Sequence, residues 1–98
     1  MTINLIVPTD HWRSLGDKES FFVWLYSISG YQSCEGKDRI LYISFSAQQV
    51  DVTTGEELWS LFKRYEFDEM RQLAQLKETQ IGEWFSDPKM IWYDDIFG

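Results

Sequence analysis

Aromatic side chains dominate this chain, which has five Trp, five Tyr and seven Phe among its 98 residues. Rings bury large areas, so a chain this short can shield them from water only by packing them into one dense core. Ninety-eight residues are enough for one such core and too few for two. We therefore expect a single domain over residues 1–98 that folds without covalent staples.

The cellular environment is predicted from what the chain lacks. Cys34 is the only cysteine, so no intramolecular disulfide is possible, whereas secreted domains of this length often carry several. Residues 1–7 show no basic region followed by a long apolar run, and no stretch approaches the roughly 18–20 apolar residues that a membrane span needs. The sequence thus predicts a cytoplasmic protein without a membrane partner.

Hydrophobic periodicity predicts an α+β fold, with about three short strands packed against three or four helices in a single pair of layers. Alternation predicts strands at residues 2–7 and 39–47, and composition predicts a last strand at residues 90–93. The polar segment 31–38 is predicted as a loop. Pro8 and Gly30 punctuate the first half.

Helices are predicted where a capping residue precedes an apolar stripe at helical spacing. The predicted starts are Asp17, Thr54 with Glu57, Asp68 and Thr79. The first helix should end near Ser29, before Gly30. The last helical turn should end at Pro88.

Acidic residues outnumber basic ones by sixteen to nine, and the excess is uneven. Residues 1–50 carry five acids and four bases, while residues 51–98 carry eleven acids and five bases, giving −1 and −6. Direct nucleic-acid binding needs the opposite sign, because affinity comes largely from neutralised phosphates. Anionic membranes are disfavoured for the same reason. A basic protein is the partner that this charge would attract.

Enzyme signatures are scarce, and we expect neither catalysis nor a cofactor. The six glycines are scattered, so no phosphate-binding loop is present. One Cys and one His cannot form a CxxC or HExxH metal site, and no metal is expected. The one catalytic alternative pairs Cys34 with His11, oriented by Asp10, because a nucleophilic thiol needs a neighbouring base. An ordinary surface histidine and an incidental cysteine explain the same residues.

The C-terminal segment alternates large rings with acids and is the candidate partner-binding site. Exposed aromatic anchors surrounded by charge are typical of interface hot spots. The candidate residues are Asp68, Glu69, Glu83, Asp87, Trp92, Tyr93, Asp94 and Asp95. The alternative is that Trp92 packs in the core, under a helix on the second face of the sheet.

Three other features have structural explanations. The doublet Glu56–Glu57 is explained by its place in a first helical turn. Trp59 is predicted to be core, beside the apolar stripe of its helix. Trp12 is left open.

In overall profile the chain resembles bacterial immunity proteins, the small inhibitors that neutralise nuclease toxins of contact-dependent growth inhibition and colicin systems. The resemblance rests on length, acidity, ring content and missing catalytic motifs, so no functional residue is carried over. It implies an inhibitor whose carboxylates occupy the phosphate sites of a basic toxin nuclease, or one that binds away from the active site.

Two further hypotheses remain open at this point. A phage-type anti-defence protein or DNA mimic would use the same acidity against a DNA-binding enzyme. However, the acids here are clustered among rings rather than spaced like phosphates. A non-inhibitory subunit of a larger assembly would share the same composition.

Overall fold

The fold is α+β, with a three-stranded antiparallel sheet and helices on one of its faces. The computed structural model describes residues 1–10 and 12–98. The elements in chain order are β1 (Thr2–Pro8), α1 (Leu15–Ser27), β2 (Tyr31–Lys37), β3 (Ile40–Ser46), α2 (Val52–Arg64), a 3₁₀ helix (Met70–Glu78), α3 (Gly82–Phe85) and α4 (Tyr93–Ile96).

The central strand is β3, in the order β1-β3-β2. Its register places Ile3, Leu5 and Val7 of β1 opposite Phe45, Ile43 and Leu41 of β3, and all six are buried under the helices. The alternate residues face away from the helices, and among them Ile6 and Tyr42 are exposed. This alternation confirms the two strands predicted at residues 2–7 and 39–47.

The segment predicted as a polar loop, residues 31–38, is instead mostly the edge strand β2. It pairs with β3 from Tyr31 to Lys37, with a register shift between Tyr31 and Ser33. A two-residue turn, Asp38 and Arg39, joins the strands, and both residues have positive φ. Most of β2 is exposed, so no buried face imposes the alternation that would have revealed a strand.

Each of the two long helices begins at a cap that differs from the predicted one. Ser14, rather than Asp17, caps α1, and its hydroxyl accepts from the Asp17 backbone N–H at 3.1 Å. Asp51 caps α2 in a reciprocal box with Thr54, so the predicted Thr54–Glu57 box lies three residues too late. In α1 only Phe21 and Leu25 are buried, whereas α2 buries five residues along one stripe.

A nine-residue 3₁₀ helix runs along the free edge of β1. The amide of Gln72 accepts from the Ile6 N–H at 2.7 Å and donates to the Ile6 carbonyl at 2.8 Å. Gln75 makes the same two contacts with Asn4, at 3.3 and 2.8 Å. A 3₁₀ turn rises about 6 Å and two strand residues span about 6.6 Å, so the two amides match alternate strand residues. The predicted cap Asp68 is not used, since Glu69 is the N-cap position and makes no side-chain cap bond.

The chain ends in two short helices rather than in the predicted strand at residues 90–93. Thr79 closes the 3₁₀ helix by donating to the Leu76 carbonyl, and α3 begins three residues later at Gly82. Trp92 and Ile96, four residues apart, both point inward from the turn and α4. Helical spacing therefore places the rings of this segment.

Two close backbone approaches hold the C-terminal helices in place. A Cβ on Gly82 would lie 2.0 Å from the Lys77 carbonyl oxygen, and one on Gly55 would lie 2.9 Å from the ring of Phe85. Gly55 lets α3 pack directly against α2.

Among the described residues, no helix is long and apolar enough to cross a membrane.

Candidate functional site

Trp92 is buried, so its prediction as an exposed anchor is wrong. Only 4% of its surface is exposed, and its indole N–H donates to the Phe85 carbonyl at 2.8 Å. Its ring stacks on Phe85, with centroids 5.3 Å apart. The neighbouring Ile91 is the exposed residue instead. The alternative is right that Trp92 is a core residue, but Trp92 packs against α3 rather than on the second face of the sheet. Phe85 supplies the hydrogen-bond partner that a buried indole needs.

Two half-buried tryptophans flank Trp92 and reach the surface where Trp92 does not. The Trp84 centroid lies 5.2 Å from that of Trp92 in an edge-to-face arrangement, and the Trp59 centroid lies 6.1 Å away. The buried ring thus supports two partly exposed ones. The prediction of Trp59 as core is only partly right. The sequence feature that indicates partial exposure of Trp59 is its position on a helix face that also carries Glu56, Ser60 and Lys63.

Asp95 connects these rings to the charged surface. Its carboxylate accepts from the Trp59 indole N–H at 3.0 Å and pairs with the Lys63 ammonium at 3.2 Å. The hydrogen bond from Trp59, assisted by Lys63, lowers the pKa of Asp95 below its usual value. The Lys63 ammonium also lies 5.9 Å from the Trp59 ring centroid. Asp95 is therefore ionised and fixed in orientation at neutral pH.

Asp94 precedes Asp95 on α4, is exposed, and has no bonded partner among the described residues. Together Trp59, Lys63, Trp84, Asp94 and Asp95 form what we call the indole–acid surface. It contains two rings, two carboxylates and one ammonium.

The other predicted site residues lie around this surface or in its supporting turns. Glu83 is exposed beside Trp84 on α3, and Tyr93 is half-buried with its ring 5.4 Å from that of Phe97. Asp87 is structural, since its carboxylate accepts from the Lys89 N–H at 2.9 Å in the turn around Pro88. Asp68 and Glu69 are exposed before the 3₁₀ helix.

Lys63 links Asp68 to the indole–acid surface. It borders a shallow depression with Asp68, on the side of α2 where Phe67 and Met70 also line the wall. Glu66 lines the same depression and forms an exposed ion pair with Arg13 at 3.2 Å. Three carboxylates, those of Glu66, Asp68 and Asp95, therefore lie around Lys63 near the end of α2.

Cys34 carries the thiol of the catalytic alternative. Cys34 is half-buried on β2, and burial raises the pKa of its thiol. Burial, with the neighbouring Cys34 and Tyr26, raises the pKa of Tyr31 to about 12. His11 lies outside the described residues. Trp12, the open case, packs against Phe21 with ring centroids 4.7 Å apart and belongs to the core wall.

Imidazole, thiolate and carboxylate side chains are the groups that could bind a metal ion in the described part of the chain. No group of three or more His, Cys, Asp or Glu side chains there is close enough to hold an ion.

Comparison with protein-family models, with curated proteins and with solved structures found no match.

Proposed function

We propose that the indole–acid surface binds a basic protein, and that this chain is a stoichiometric inhibitor of the immunity-protein kind, directed against a toxin nuclease. The observation that carries the proposal is the pair Asp94 and Asp95. One carboxylate is exposed and the other is fixed by Trp59 and Lys63, beside two half-buried indoles.

The two carboxylates have different roles in this proposal. Asp95 already has a cationic partner, so a basic group of the target must share it with Lys63 or displace Lys63. Asp94 has no such partner among the described residues, so its field extends further into solvent. We expect Asp94 to contribute mainly to the rate of association and Asp95 to the lifetime of the complex.

The indoles supply the apolar part of the interface. Trp59 and Trp84 are held by their contacts with buried Trp92, so little side-chain entropy is lost when a partner covers them. Rigid rings next to carboxylates suit a cleft that binds phosphates beside nucleobases, since such a cleft is basic and partly apolar. This complementarity favours a nuclease as the target.

The test begins with isolation of the partner from the host on tagged protein. The association rate of the purified pair is then measured by stopped-flow fluorescence over a series of NaCl concentrations. We expect a complex with one partner molecule per chain and an association rate that falls steeply with salt, because exposed charges are screened beyond about 8–10 Å near physiological ionic strength. Asp94→Asn should slow association, and Trp84→Phe should speed dissociation.

Glu19→Gln is the matched control, because Glu19 is exposed on α1 and the substitution removes the same single charge. Equal slowing by Asp94→Asn and Glu19→Gln would show that net charge acts without a local site. A salt-independent rate would contradict the electrostatic mechanism. If the isolated partner is a DNA-binding enzyme and duplex DNA competes for it, the anti-defence alternative replaces the immunity function.

A further inference from the structure

The two edge strands of the sheet differ in whether their outward-pointing backbone groups have hydrogen-bond partners. In the middle of β1, Asn4 and Ile6 direct their backbone groups outward, and the amides of Gln75 and Gln72 satisfy them. A free strand edge is a template for pairing with another chain, and proteins usually cover it. The edge of β1 is covered.

The edge of β2 has no comparable cover. The turn at Asp38 and Arg39 makes Lys37 and Ile40 the closing pair of a two-residue hairpin. Lys37 and Glu35 therefore direct their backbone groups toward β3, and Cys34 and Gly36 direct theirs outward. No backbone or side-chain group among the described residues bonds to those outward groups across the edge.

Helix α1 lies beside this uncovered edge and carries three exposed apolar side chains, with the exposed Glu19 among them. Leu15, Val23 and Tyr26 of α1 are 71%, 70% and 56% exposed. The helix contacts β2 on that side: the Tyr26 ring lies 5.2 Å from that of Tyr31, and Phe22 lines a groove with Cys34 and Gly36. The open strand edge and the side of α1 that carries Phe22 and Tyr26 thus form one continuous surface.

We propose that two copies of this chain pair antiparallel through β2, forming a six-stranded sheet with the two α1 helices side by side. The two-fold axis of such a pair is perpendicular to the sheet, so both helices lie on the same face. The outward groups of Gly36 in each copy then bond to each other, and Val23 and Tyr26 are covered by the neighbouring α1.

The charges of β2 select the register. With Gly36 opposite Gly36, Glu35 of each copy lies opposite Lys37 of the other, which gives two opposite-charge pairs related by symmetry. A shift that puts Cys34 opposite Gly36 would place the two Glu35 side chains against each other, which is unfavourable. Gly36 also has no side chain to hinder the approach of the second strand. Within one chain, a Cβ at Gly36 would meet nothing within 4 Å.

The overall charge of −7 does not oppose this pairing strongly. Residues 1–50, which contain α1 and the hairpin, carry only −1, and the remaining −6 belongs to the second half. Lys18, Lys37 and Arg39 offset the acids near the β2 edge. A second copy, rather than a strongly charged partner, matches a face that is nearly neutral.

Sedimentation equilibrium from low- to high-micromolar concentration tests the proposal on the full chain. We expect a monomer–dimer equilibrium, and we expect Glu35→Lys to turn two attractive pairs into repulsive ones, raising the dissociation constant about tenfold or more. Lys37→Glu should act equally. The double variant Glu35→Lys/Lys37→Glu restores opposite charges and should restore the dimer. The amides of Cys34 and Gly36 should gain hydrogen-exchange protection with concentration.

The control is Glu57→Lys on α2, an exposed position where the same charge change should leave dimerisation intact. Circular dichroism verifies that each variant folds. A wild-type protein that stays monomeric throughout overturns the proposal. So does a Glu35→Lys variant that dimerises like the wild type, or a double variant that does not regain the dimer.

Discussion

The glutamine contacts along β1 should be a measurable source of stability. Gln72 makes two hydrogen bonds to Ile6, at 2.7 and 2.8 Å. Each bond contributes about 0.5–1.5 kcal/mol net, and both are near the surface, where water replaces part of a lost bond. Gln72→Ala should therefore lower the free energy of unfolding by about 1–2 kcal/mol. For a domain of this size, 1 kcal/mol corresponds to about 4–8 °C in Tm.

Urea unfolding followed by tryptophan fluorescence measures this loss, and hydrogen exchange locates it. The Ile6 amide should exchange faster in Gln72→Ala, and the Asn4 amide faster in Gln75→Ala. Gln49→Ala is the control, because the exposed Gln49 side chain makes no hydrogen bond within the described structure. Gln72→Ala and Gln75→Ala proteins with the wild-type stability and unchanged amide exchange would refute the reasoning.

Three further predictions concern single positions. Gly82→Ala should lower the free energy of unfolding by more than about 3 kcal/mol, because its Cβ would lie 2.0 Å from the Lys77 carbonyl oxygen and the backbone must shift. Thermal denaturation measures this loss of stability, and a near-wild-type Tm would contradict the prediction. Because the pKa of Asp95 is lowered in the folded protein, its ionised carboxylate adds to the free energy of unfolding above the usual pKa of 3.8, and this addition is lost as pH falls through the lower folded pKa. Asp95→Asn should therefore lose less stability than the wild type on acidification in that range. Urea unfolding over a pH series measures the difference. The raised pKa of Cys34 should make it react with iodoacetamide more slowly than a free thiol at neutral pH, and a faster reaction would revive the nucleophile hypothesis.

The fold class and the core strands were predictable because one buried face imposes a strong period. Ile3, Leu5 and Val7 alternate because the helices cover one side of β1. The edge strand β2 carries no such pattern, since its place beside β3 comes from the hairpin turn and from pairing between backbone groups. That turn uses Asp38 and Arg39 at positive φ, without the glycine that usually marks one.

The sequence does not show which aromatic side chains of the candidate site reach the surface. The sequence places rings and acids together near the C-terminus, and Asp95 accepts a hydrogen bond from the Trp59 indole. It does not distinguish Trp92, which is buried, from Trp84, which reaches the surface. That choice depends on the hydrogen bond between the Trp92 indole and the Phe85 carbonyl and on the contact with Trp59 from α2. Neither contact has a local pattern in the sequence.

The two proposed surfaces belong to different halves of the chain, and this separation leads to a last prediction. The β2 edge and α1 lie within residues 1–50, while the indole–acid surface is built from α2, α3 and α4. A dimer formed through β2 would leave both indole–acid surfaces free and would bind two copies of the basic partner.

The charge-swapped variant Glu35→Lys/Lys37→Glu keeps the net charge of −7. It should bind the partner as the wild type does, and Glu35→Lys alone should change the stoichiometry from two-to-two to one-to-one without weakening each contact. Light scattering of the complex together with titration calorimetry measures both quantities. A loss of partner affinity in the charge-swapped variant would mean that the β2 edge itself belongs to the partner-binding site, because nothing else in that variant changes the surface charge.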